Sequence, residues 1–191
     1  MKIFAILASL LAVTTALPSG GGDIQGASVV TFEGPVKPGG DDIKITGDAK
    51  EIYEKLRELN PNYDADFKNE LAPPRLEARI PAPGSLFCNN WPQLAVSNLH
   101  EGIQYLLGLN GKCYVGAGAG KKCIRVSCSW SAAIWLCNDN KNPIGVPCRE
   151  IGGTANHIAH NCHGSSSTIG YVSGHMFKSG KWNVIVREGN C

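Results

Sequence analysis

Histidine is the residue type of this chain best suited to acid–base or metal chemistry. Five histidines are present, at positions 100, 157, 160, 163 and 175. His157, His160 and His163 follow one another at intervals of three, and on a helix such a step places the first two on neighbouring positions. No carboxylate or further cysteine accompanies them at a spacing familiar from zinc sites. We therefore expect no bound metal and no cofactor.

A hydrolase of the ribonuclease type would need a general base, a general acid and a cation that holds phosphate. His160, Glu150 and Arg149 supply these three residue types. The sequence does not show that they converge, and Arg149 and Glu150 point to different faces if both are helical. A small secreted hydrolase using this trio is the alternative to a protein without catalysis.

All eight cysteines lie in the last 104 residues of the chain. An even number in a domain of this size, behind an export signal, predicts up to four disulfides and argues against a cysteine nucleophile. Each bridge adds about 2 to 4 kcal/mol by restricting the unfolded chain, so we expect reduction to unfold residues 80–191. The cysteines are Cys88, Cys113, Cys123, Cys128, Cys137, Cys148, Cys162 and Cys191.

The first 16 residues have the pattern of a signal peptide. Lys2 supplies the positive charge, residues 3–13 are an apolar run broken only by Ser9, and small residues end at Ala16. The run is too short to span a bilayer, because a membrane helix needs about 20 apolar residues. We expect a secreted, extracellular protein.

Residues 17–79 are rich in glycine and proline clusters, which favour turns and disordered linkers. We expect little core in this segment, with one exception. Residues 48–60 predict an amphipathic helix behind an Asp48 cap, whose apolar positions are Ala49, Ile52, Tyr53, Leu56 and Leu59. The basic end at Arg79 is typical of sites cut by fungal processing proteases, so residues 17–79 are a propeptide or an uncleaved linker.

Charge divides the chain at the same place. The net charge of +2 combines a segment 17–79, with 8 basic and 12 acidic residues, and a segment 80–191, with 9 basic and 4 acidic residues. Opposite charges attract, which suits an N-terminal segment that masks or chaperones a basic domain.

Residues 80–191 predict the order helix, strand, strand, helix, strand, strand. The first helix begins at Asn98, which forms a capping box with Glu101. Pairs of strands separated by helices favour an α+β fold, here a small disulfide-rich sandwich with an antiparallel sheet and two helices on one face. The remaining elements are predicted at 123–128, 132–137, 149–162, 168–173 and 181–187.

The spacing of cysteines and neighbouring residues in 88–191 resembles the small virus-encoded killer toxin of smut fungi, of the killer-protein-four type, and its cellular relatives among secreted fungal proteins. That family carries a functionally important lysine on one strand, associated with interference with calcium channels, and Arg125 is the nearest match. The resemblance implies that Cys128 pairs with Cys191 and Cys88 with Cys162. It is carried by residues 125–128, Ser131, Ile134, 148–151, 157–162, 174–175, 182–186 and 190–191.

The resemblance implies a secreted fungal toxin or effector, antimicrobial or virulence-related, that binds a target on a host or competitor cell. A membrane protein or channel is one such target. We expect a monomer that does not bind nucleic acid. Strand alternation places Arg125 opposite Ile124 and Val126, and a glycine loop exposes Lys121 and Lys122, so these three cations are the predicted binding residues.

Overall fold

The computed structural model describes residues 29–68, 86–116, 122–163 and 170–191. The predicted signal peptide and the predicted cleavage site at Arg79 lie outside these ranges. The helices are α1 (Ala49–Leu59), α2 (Tyr63–Asp66), α3 (Val96–Gly108) and α4 (Cys148–Cys162). The strands are β1 (Val30–Pro35), β2 (Asp42–Gly47), β3 (Leu86–Cys88), β4 (Leu94–Ala95), β5 (Lys112–Val115), β6 (Lys122–Ser129), β7 (Ala132–Asn138), β8 (Ile144–Pro147), β9 (Tyr171–Val172), β10 (Gly174–Lys178) and β11 (Trp182–Glu188).

The strands form antiparallel sheets, which with the helices gives the predicted α+β class. One sheet has five strands in the order β3-β10-β11-β7-β6, and a second has four in the order β2-β1-β5-β8. A short third pair joins β4 and β9. The sequence predicted a single sheet, and this is wrong. Strands β5 and β8, which were not predicted, form a separate sheet in which β5 pairs with β8 on one side and with the N-terminal strand β1 on the other.

One large hydrophobic core joins the helices to both larger sheets. Helices α3 and α4 contact each other, and both contact strands of the five-stranded sheet. Gly152 permits the close approach of the two helices, since a methyl group added there would lie 3.0 Å from Leu106 Cβ and 3.1 Å from Leu107 N. This explains a glycine that weakens the helical pattern in the sequence.

The expectation of little core in residues 17–79 is wrong for residues 29–68. Strand β1 pairs with β5, and the side chains of Phe32, Ile52 and Leu56 are fully buried. Buried positions of β1 alternate with half-buried ones, as in other strands. The strand is short and lies between two glycine- and proline-rich stretches, so its alternation is hard to recognise in the sequence. Processing near Arg79 stays a prediction.

The predicted amphipathic helix is confirmed as α1. The Asp48 carboxylate accepts a hydrogen bond from the Glu51 backbone N–H, and the Glu51 carboxylate accepts one from the Asp48 backbone N–H, which forms a capping box. Ala49, Ile52 and Leu56 are buried, as the spacing predicts. Leu59, in the last turn of the helix, is 52% exposed, so the apolar spacing does not predict burial there.

The predicted start of the next helix is wrong. Helix α3 begins at Val96, and its N-cap is Ala95, which makes no side-chain capping bond. The N-terminus of helix α3 is held by a distant part of the chain, because Val96 N donates to Gly170 O and β4 pairs with β9. Asn98 lies inside the helix and its Nδ2 donates to Trp130 O.

The strands predicted at 123–128 and 132–137 are confirmed as β6 and β7, which form a hairpin. Its two-residue turn, Trp130 and Ser131, has positive φ at both positions, the conformation that fits the twist of a tight hairpin. Of the strand predicted at 168–173, residues 168–169 lie outside the described ranges, and the described part, 170–173, is a strand at Tyr171–Val172. Strand β10, Gly174–Lys178, was not predicted.

All eight cysteines are paired in four disulfides. The pairs include the two that the resemblance implied. A bulge at Arg125 and Ser127 turns Ser127 toward Gly102 of α3, so that Cys128 faces the opposite side, where it meets Cys191. The four bridges are Cys88–Cys162, Cys113–Cys148, Cys123–Cys137 and Cys128–Cys191.

Candidate functional site

The two faces of the five-stranded sheet have different chemistry. One face contributes to the large core, whereas the other carries a separate small cluster. Trp91 and Cys128 are the partly buried apolar residues that pack on this second cluster. We call this side the outer sheet face. Its buried members are Cys123, Ala133, Trp135, Cys137 and Ile185.

A continuous row of side chains crosses the outer sheet face. Residues directly opposite in antiparallel strands place their side chains on the same face within contact range. The strand register therefore joins one guanidinium, an indole, an aliphatic side chain, an imidazole and a phenyl ring in a line from β6 to β3. The row is Arg125, Trp135, Ile185, His175 and Phe87.

The first end of the row is cationic. The guanidinium carbon of Arg187 lies 5.5 Å from the centre of the Trp135 ring, a cation–π contact. Arg125 of β6 is the partner of Trp135 in the strand register, so both arginines belong to this end of the row. Within the described ranges, neither arginine has an ion pair with a carboxylate.

Two buried N–H donors at this end have no hydrogen-bond partner among the described residues. They are Nε1 of Trp135 and Nε of Arg187. A buried donor without an acceptor costs about 1 to 3 kcal/mol of folding free energy. A ligand oxygen that accepts a hydrogen bond from either group would remove this cost. An anionic or carbonyl oxygen satisfies such donors and also neutralises the guanidinium charge.

The predicted binding residues have different environments. Lys122 is exposed at the start of β6, as expected. Arg125 is half-buried, and its Nη1 donates to the backbone carbonyl of Asn190, so it also holds the C-terminal segment beside the Cys128–Cys191 bridge. The role of Arg125 in binding stays a prediction. Lys121 lies outside the described residues.

The second end of the row is aromatic. Phe87 is 44% exposed and Phe177 is 36% exposed. The His175 ring lies within 5 Å of three other rings, with centroid distances of 4.8 Å to Phe87, 4.9 Å to Phe177 and 4.9 Å to Trp91. Exposed aromatic groups beside cations are typical of binding surfaces, since they give large contact area with few rotatable bonds.

The hydrolase trio does not converge. Glu150 and His160 belong to the same helix α4, and ten residues of helix separate them by about 15 Å along its axis. Glu150 instead pairs with Lys178 at 3.2 Å, and Nδ1 of exposed His160 contacts the Asn156 carbonyl. The structure therefore does not bring His160 and Glu150 together into one site.

His157 lies on α4 between these groups. Burial lowers the pKa of its imidazole, and the positive charges of Lys178 and His160 lower it further. Among the described residues, no three His, Cys, Asp or Glu side chains are grouped closely enough to hold a metal ion. In the same part of the chain, no helix has the length and apolar character needed to cross a membrane.

Searches of protein-family models, curated proteins and solved structures found no match to this chain. The outer sheet face is therefore the feature from which a function is inferred.

Asn138 organises the loops beside the cationic end. Its side chain is fully buried, and Nδ2 donates to Gly116 O at 3.0 Å and to Asn142 O at 2.8 Å. Its Oδ1 accepts from the backbone and side chain of Asn140 at 2.8 and 3.0 Å. Asn138 thus connects the ends of β5, β7 and β8 next to Lys122, its partner in the strand register.

Sequence reasoning missed Arg187, Trp135 and the exposed rings of Phe87 and Phe177. Alternation along β11 does place Arg187 on the same face as Ile185, so that signal was available. Phe87 and Phe177 had no signal, because β3 and β10 are short strands with no clear alternation of their own. Among the tryptophans, Trp91 is half-buried and Trp130 is 76% exposed.

Proposed function

We propose that this chain is a secreted, disulfide-stabilised fungal protein of the killer-toxin-like or effector class, which binds a target on another cell without catalysis. The observation that carries the proposal is the outer sheet face. It combines two arginines that lack carboxylate partners among the described residues, a tryptophan that contacts one of them, and exposed aromatic rings at the other end.

The covalent frame supports the extracellular part of the proposal. Four disulfides in residues 88–191 are compatible with an oxidising compartment, where such bridges form and persist. The contacts of α3 and α4 with the five-stranded sheet support the finer arrangement that we propose, a sandwich in which both helices cover one face and leave the other for recognition.

The chemistry of the face defines the target group. Two guanidinium groups and two unpaired N–H donors favour an anionic oxygen, and the phenyl rings favour an apolar surface next to it. An acidic group beside apolar side chains on a membrane protein or channel of the target cell has this character. We propose that one protein molecule binds it as a monomer.

The first experiment applies the purified protein to competing fungi and to plant tissue, each with and without added calcium. Growth inhibition or a tissue response, without breakdown of added RNA, is the expected result. RNA hydrolysis that disappears in His160→Ala and persists in Lys122→Glu would replace the binding proposal with the hydrolase. Each variant is first checked for native circular dichroism and for the absence of free thiols.

A further inference from the structure

The N-terminal and C-terminal parts of this fold are not linked by any disulfide, because no cysteine precedes Cys88. The only covalent connection between residues 29–68 and residues 86–191 is the chain between them. Everything else that joins these two parts is non-covalent. We refer to them as the N-terminal piece (29–68) and the C-terminal piece (86–191).

Main-chain hydrogen bonds join the two pieces through paired strands. Strand β1 lies between β2 of its own piece and β5 of the C-terminal piece, so it is an interior strand of the four-stranded sheet. The backbones approach closely where β1 passes Gly111, since a Cβ added at Gly111 would lie 2.6 Å from Glu33 O. Asn110 N also donates to the Tyr63 hydroxyl at 3.0 Å.

Side chains of the N-terminal piece fill the shared core. Phe32, Ile52, Leu56 and Tyr63 are 0% exposed and belong to the same cluster as α3 and β5. The ring of Tyr53 packs on Tyr105 of α3, with 5.5 Å between ring centres. An interface with this many fully buried side chains is like the interior of a domain rather than a transient contact.

Charge contributes little to this interface. The ion pairs of the N-terminal piece, Lys44–Glu33, Lys55–Glu58 and Arg57–Asp64, lie within the piece, and no ion pair joins the two pieces among the described residues. The attraction between an acidic segment and a basic domain, expected from the sequence, is therefore not what joins them. The strength of apolar packing and strand pairing does not depend on the screening of charges by salt.

We propose that the C-terminal piece carries a binding surface for this chain's own N-terminal piece, and that a chain cut between the two remains a two-chain complex. Processing near Arg79 then yields a non-covalent heterodimer, not a free C-terminal domain. The surface consists of the β5 edge and the adjoining face of α3. This inference does not rest on the proposed binding function.

The test uses the full chain with a recognition sequence for a specific protease placed at residues 75–79. The folded protein is cut and run on a size-exclusion column in low salt and in 1 M salt. The expected result is one peak that contains both fragments in both buffers, and two peaks in denaturant without reductant. Separate peaks in native buffer would overturn the proposal, and separation only in high salt would replace it with an electrostatic association.

Two matched leucine variants on α1 measure the interface. Leu56→Ala removes a fully buried side chain, and Leu59→Ala removes one that is 52% exposed. After the cut, we expect the complex of Leu56→Ala to dissociate at least about a hundredfold more readily than wild type, and that of Leu59→Ala to match wild type. Equal behaviour of the two variants would contradict the proposal. The disulfides keep the C-terminal piece comparable in both variants.

Discussion

Replacing Asn138 with aspartate tests how the loops beside Lys122 are held. The two side chains have the same shape, but a carboxylate cannot donate a hydrogen bond. Gly116 O and Asn142 O would each lose the Nδ2 donor that lies 3.0 and 2.8 Å away. The bonds accepted from Asn140 would remain, so Asn138→Asp removes only the donating half of the network.

The expected cost follows from the two lost bonds. Gly116 is half-buried and Asn142 is exposed, so water can replace the lost donor and each bond is worth about 0.5 to 1.5 kcal/mol, which makes about 1 to 3 kcal/mol for the two. The buried charge adds to this loss at pH 7, because Asn138 is fully buried. The sum is a large part of the stability of about 5 to 15 kcal/mol that a domain has.

Urea unfolding at pH 7, followed by tryptophan fluorescence with the disulfides intact, measures the effect. Asn62→Asp is the matched control, since Asn62 is exposed and its side chain makes no capping bond. We expect the control to stay within about 0.5 kcal/mol of wild type. If Asn138→Asp were as stable as the control, the donated bonds of Asn138 would not hold these loops.

Three further outcomes can be measured in the same way. Reduction of the disulfides should unfold residues 86–191, which circular dichroism would detect as loss of structure with increasing dithiothreitol. Gly152→Val should destabilise the protein by about 1 to 3 kcal/mol, because the added atoms meet Leu106 and the backbone of α3. The lowered pKa of His157 means that the folded state binds fewer protons than the unfolded state, so stability falls as pH falls below about 6.5. His157→Gln should lose less stability than wild type between pH 7 and 5.

Local patterns predicted the elements that have their own signals. Helix α1 carries a cap and a regular apolar spacing within its own residues, and the β6–β7 hairpin is rich in strand-forming residues. These preferences agree with the tertiary structure, so the sequence is sufficient for them. The α+β class and the full pairing of the cysteines follow from the same kind of evidence.

The remaining features depend on contacts between distant parts of the chain. The start of α3 is fixed by Gly170 and by the β4–β9 pair, which no residue near Val96 reveals. Strand β1 becomes interior only because β5 pairs with it. The outer sheet face has the same origin, since the row from Arg125 to Phe87 uses five strands whose order is not sequential.

Recognition through the cationic end of the outer sheet face is tested most directly by binding of fluorescently labelled protein to a responsive cell type. The comparison uses Arg187→Gln, which removes the guanidinium that contacts Trp135 on this face, and the control Lys50→Glu, an exposed lysine on α1 away from this face. All proteins must be folded and free of thiols. We expect Arg187→Gln to bind about tenfold more weakly or worse, and Lys50→Glu to bind like wild type. Equal binding by wild type and Arg187→Gln would contradict recognition through this face.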